Sequence, residues 1–140
     1  MKIKLFLISV LASVLISCTK TGNAFYHYID NRLTEEVVVS YSLDTAYYYN
    51  PNAERILSLS QTVPARTKSP VVLPKGYECF MPSRNYLSFV VCNTFGDTIL
   101  DATPTDKQDN SAWTLEEKAD RPDRYTLIDV MNYILIIDGD

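Results

Sequence analysis

Cys18 is the side chain with the most definite chemistry in this chain. It closes the segment Met1-Lys-Ile-Lys-Leu-Phe-Leu-Ile-Ser-Val-Leu-Ala-Ser-Val-Leu-Ile-Ser-Cys18. Two lysines there precede roughly a dozen apolar or small residues, a length suited to a signal-peptide core and short of the ~20 needed to span a bilayer. Leu15-Ile16-Ser17-Cys18 has the form of a lipobox, in which a branched residue three places upstream and a small residue just upstream let a peptidase cut immediately before the cysteine. The cysteine then takes acyl chains. Each buried methylene contributes ~0.8 kcal/mol, so one chain holds reversibly and two or more hold firmly. Residues 1–17 are therefore expected to be a removable leader, 18–24 a lipidated tether, and 25–140 one folded domain. Thr19 stands where an acidic residue would favour retention at an inner membrane, and residues 19–23 lack an acidic export run. The expected location is the outer membrane, on its periplasmic face in preference to the cell surface.

The remaining reactive side chains are few. His27 is the only histidine and lies among aromatics in a strand-like run, where a structural histidine with satisfied hydrogen bonds is the expectation. A general base there has no G-x-S-x-G element to serve. With Cys18 acylated, Cys79 and Cys92 remain. In an oxidising compartment they either bridge, for about 3 kcal/mol in the chain-entropy model, or stay as small buried hydrophobes. His27, Cys79 and Cys92 have no zinc-finger spacing, Asp101, Asp106 and Asp109 lack calcium-loop spacing, and the four glycines build no phosphate loop. No catalytic residue, metal or cofactor is expected. Tyr47-Tyr48-Tyr49-Asn50 is the one candidate ligand surface, since flat rings beside an amide suit a sugar: stacking from the ring, hydrogen bonds from the amide. Packing at a strand edge is the competing reading of the same tyrosines.

Composition narrows the partners. Without Lys2 and Lys4 the chain carries 11 basic against 17 acidic side chains. That excess opposes nucleic acid, which requires a basic stripe, and a polybasic grip on anionic lipid. The partners left are the membrane, through acyl chains on Cys18, and a glycan or an envelope protein.

The elements that would position these residues are mostly strands. Val37, Val39, Tyr41 and Leu43 alternate with Ser40 and Ser42, the period of a half-buried strand. Residues 25–29 and 87–92 have strand composition, and Asn93-Thr-Phe-Gly-Asp97 reads as a turn into a hairpin partner at 98–100. Residues 65–73 look extended but contain Pro70, which favours an edge position. Thr114-Leu-Glu-Glu117 has capping-box spacing and predicts a two-turn helix ended by Pro122; Thr126-Leu-Ile-Asp129 repeats the device for one turn. Residues 133–137 are apolar on both faces, as in a central strand, or one that becomes central when another chain adds to it. The expected fold is all-β with minor helix: an antiparallel β-sandwich of immunoglobulin-like architecture with one or two short helices near the C-terminus.

Four stretches carry a family resemblance: Tyr41-Ser-Leu-Asp-Thr45; Asn50-Pro51-Asn52; Leu87-Ser-Phe-Val-Val-Cys-Asn93 with Asp97-Thr98-Ile99; and Arg124-Tyr125-Thr-Leu-Ile-Asp129 leading into the last strand. In these the chain resembles the small lipoproteins of Bacteroidales that carry an uncharacterised domain. Tyr133 stands where that group usually has a tryptophan. The resemblance implies an envelope location and a small β-rich domain, and implies no activity.

Overall fold

The computed structural model describes residues 19–124 and 126–139, so Cys18 and the leader lie outside the described residues. Eight strands form two four-stranded sheets. One sheet has the order β4-β1-β8-β7, built from β4 (Thr67–Pro70), β1 (Thr19–Asn31), β8 (Thr126–Ile137) and β7 (Thr114–Asp120). The facing sheet has the order β3-β2-β5-β6, from β3 (Ser58–Val63), β2 (Val37–Leu43), β5 (Tyr86–Cys92) and β6 (Thr98–Asp101). This is the all-β sandwich expected from the alternating patterns. All strand pairs are antiparallel except one: β1 and β8 run parallel at the centre of their sheet, with Phe25 opposite Met131 and Ile29 opposite Leu135.

Alternation decides which side chains meet between the sheets. From β2 these are Val37, Val39, Tyr41 and Leu43; from β5, Tyr86, Phe89 and Val91; from β1, His27 and Ile29; from β8, Tyr133, Leu135 and Ile137, all buried. Each fully buried aliphatic or phenyl group contributes about 1.5–3 kcal/mol relative to exposure, so this layer is the main source of stability. Residues 133–137 are indeed in a central strand. β8 is paired by β1 along its length and by β7 as far as Ile134, so β7 covers residues 133 and 134 of this run and leaves 135–137 without a partner strand on that side among the described residues.

Three expectations need correction. The helices predicted at 114–117 and 126–129 are strands, the first wholly in β7 and the second in β8. A helix at 114–120 would have only Leu115 and Ala119 to bury, whereas as a strand the segment satisfies its backbone against β8, from Thr114 opposite Ile134 to Asp120 opposite Ile128. The helical segments lie earlier: a 3-10 turn at Thr45–Tyr47 and α1 at Pro82–Asn85, which starts with proline where no amide partner is needed. Finally, residues 19–24, expected as tether, form the first half of β1 because β8 is long enough to pair with them, with a register shift at Gly22.

Candidate functional site

The chemistry-bearing residues fall into separate places. His27 points inward from β1 and is 4% exposed. Its Nε2 lies 2.5 Å from the Phe80 carbonyl, which can only accept, so Nε2 carries the proton. Nδ1 is then the acceptor for the Tyr86 hydroxyl at 2.6 Å. Burial pushes the His27 pKa down to about 4, against a smaller upward pull from the Phe80 carbonyl. The imidazole is therefore neutral at physiological pH with both nitrogens engaged, the satisfied structural histidine its surroundings suggested. Rings close around it: Trp113 at 5.7 Å and Tyr133 at 6.0 Å between centroids, with Tyr86 stacked on Trp113. Trp113 Nε1 is buried and has no hydrogen-bond partner among the described residues.

Cys79 and Cys92 are free thiols. Cys79 Sγ sits 3.5 Å from His27 Nε2, on the inner side, and burial pushes its pKa up to about 12. Cys92 follows inward-facing Val91 on β5, so it turns outward, where its sulfur meets Thr98 Oγ1 at 3.9 Å. The bridge weighed between them is not formed, because strand alternation puts Cys92 on the outer face.

The tyrosine run does not make a flat platform. Tyr48 is buried and donates to the Ile56 carbonyl at 2.5 Å; Tyr47 packs against Phe80 at 5.2 Å; only Tyr49, 77% exposed, and Asn50 face solvent. The 3-10 turn, capped by the Asp44 carboxylate on the Ala46 amide, fans consecutive rings in different directions. Asp101, Asp106 and Asp109 accept hydrogen bonds from backbone amides of their own loop, and Thr105 and Ser111 hold the Asp109 carboxyl well below the usual carboxylate range.

Two buried amides, Asn31 and Asn85, each organise a loop, the second of them beside His27. Asn31 donates to the carbonyls of Glu35, Val63 and Pro64 and accepts from the Leu33 amide, tying the β1–β2 turn to the opposite sheet. Asn85 accepts from the Phe80 amide at 2.6 Å and donates to Glu78 at 3.0 Å, which fixes the strap carrying Cys79 and the Phe80 carbonyl. In the sequence Asn31 reads as a turn former and Asn85 gives no signal.

A recess of about 340 Å³ on the outer face of the β1/β8/β7 sheet was also missed. Tyr26 and Tyr28 rise into it from β1, Asn132 from β8 and Lys118 from β7. The signal available was the i, i+2 spacing of the two tyrosines around His27, which puts them together on the face opposite to the histidine.

No protein-family model, curated protein or solved structure matches the chain.

Proposed function

We propose that this is a lipid-anchored cell-envelope protein of the outer membrane that acts by binding or as a structural module and performs no catalysis. The observation that carries the proposal is the Leu15-Ile16-Ser17-Cys18 pattern standing directly before Thr19, where β1 begins. Acyl chains on Cys18 would hold the sandwich at the bilayer with little slack between lipid and fold. Support for a non-catalytic role comes from His27, the sole histidine, whose two nitrogens are engaged within the core.

Metabolic labelling with an alkyne fatty acid tests the anchor. The protein takes label and partitions with envelope membranes, and Cys18→Ala loses both; an unlabelled protein retaining its leader overturns the reading.

A second reading is assembly by strand addition, for which β7 is the relevant edge. β7 ends its sheet, and Glu116, Glu117 and Lys118 lie exposed along it, charges that oppose indiscriminate pairing. Lys118→Pro would dissociate a strand-paired oligomer on light scattering, and a monomer at all concentrations removes this reading.

A further inference from the structure

We propose that the outer face of the β4-β1-β8-β7 sheet is a carbohydrate-binding site, with Tyr26 as the stacking platform and Asn132 and Lys118 as the hydrogen-bonding groups. The proposal rests on the binding-module reading above and gives it a ligand class.

Geometry comes first. Because His27 and Ile29 point into the sandwich, Tyr26 and Tyr28 point out of it. Tyr26 is 49% exposed. Lys68 lies over the Tyr28 ring, 5.1 Å from its centroid, which fixes that ring and leaves Tyr26 as the open plane. Across the sheet Tyr26 is in register with Asn132, and Asn132 with Glu116; one step on, Val130 is in register with Lys118. Val130 and Ala119 supply the apolar part of the lining between these polar groups.

Polar groups not committed to other side chains are the second observation. Asn132 occupies the middle of a strand bonded on both sides, a position that favours β-branched or aromatic residues. Its amide makes no side-chain hydrogen bond to a described residue, and neither do the Tyr26 hydroxyl or the Lys118 ammonium. All three groups reach solvent, so water is what a ligand would displace from them. Here an amide offers donors and acceptors into a recess beside an exposed ring.

The ligand class follows from that combination. A pyranose has an apolar C–H face that lies flat on an aromatic ring and an equatorial fringe of hydroxyls that both donate and accept. Lys118 and Asp120 line the same recess with opposite charge, which suits an uncharged, hydroxyl-rich ligand better than an anion. A nucleic acid would meet Glu116 and Asp120, and an extended peptide would pair along the outer edge of β7 and not over the Tyr26 ring.

The test is binding of the full-length, lipid-bearing protein in detergent to an immobilised array of glucose, mannose, galactose and N-acetylglucosamine oligosaccharides. Saturable binding to at least one series is expected. Tyr26→Ala and Asn132→Ala should each weaken it at least tenfold, while Tyr26→Phe keeps the stacking plane and most of the affinity. Tyr49→Ala, which removes an exposed ring elsewhere, should leave binding unchanged. Thermal melting of each variant separates loss of site from loss of fold. Absence of binding across the array, or binding indifferent to Tyr26→Ala and Asn132→Ala, overturns the site. Labelling of Cys18 is read on the same preparations, so a labelled protein that binds no sugar refutes the site and leaves the envelope reading standing.

Discussion

The Tyr86 hydroxyl and His27 Nδ1, 59 residues apart in the chain, are joined by a 2.6 Å hydrogen bond that crosses from one sheet to the other. The Phe80 carbonyl on Nε2 sets the histidine's tautomer, and the Tyr86 bond to Nδ1 then ties β1 to β5 across the apolar layer. Its buried setting makes both ends sensitive to change, and the consequences are measurable.

Stability should fall in mild acid because of His27. Its folded-state pKa, about 4, lies below the 6.5 of the free side chain. Between those values the unfolded chain binds a proton that the folded protein refuses, so stability is complete above pH 6.5 and declines as the pH drops toward 4. The decline attributable to this group is about 3 kcal/mol. Urea unfolding followed by fluorescence of Trp113, the only tryptophan, measures it. In His27→Gln the slope over this window should flatten relative to the parent, and an unchanged slope refutes the assignment.

Tyr86→Phe removes the donor while retaining the ring that stacks on Trp113. His27 Nδ1 is then buried without a partner, and the expected loss is about 1–3 kcal/mol in urea. A double-mutant cycle with His27→Gln should show strong coupling; additive losses would mean the bond contributes nothing.

Asn85→Ala orphans the Phe80 amide and the Glu78 carbonyl together. The expected loss is about 2–4 kcal/mol, with hydrogen exchange at the Phe80 amide accelerating well beyond the average for the fold. Exchange unchanged at Phe80 would show that the strap is held by other contacts.

The two thiols should react at different rates. Burial keeps the Cys79 thiol protonated, with a pKa near 12, whereas Cys92 lies on the outer face. Iodoacetamide followed by peptide mapping should modify Cys92 first in the native protein and both equally in urea. Asn85→Ala should raise the Cys79 rate by loosening the strap.

Strands whose side chains alternate with the pleat were legible from sequence. β2 shows one apolar and one serine face, and residues 133–137, apolar throughout, announce a strand buried in the middle of a sheet. β7 was misread because capping-box spacing is a local signal: Thr114 and Glu117 fit a helix start, but a segment with so little apolar surface takes its structure from the neighbour that completes its hydrogen bonds. The same limit hid Asn31 and Asn85, whose partners come from distant carbonyls and amides. The tyrosine run misled for a related reason. Adjacent rings suggest a surface, yet a 3-10 turn splays them, while Tyr26 and Tyr28, separated by a buried histidine, share one.

The side-by-side placement of β1 and β8 joins Thr19 to Thr126 and Asn31 to Ile137. The first strand emerging from a ribosome or a translocation channel must wait for the last one before its sheet can close, a late and non-local step that makes folding slow. The facing sheet, whose strands all lie between Val37 and Asp101, needs nothing from the C-terminus, so the two halves of the sandwich become complete at different points in the chain's synthesis.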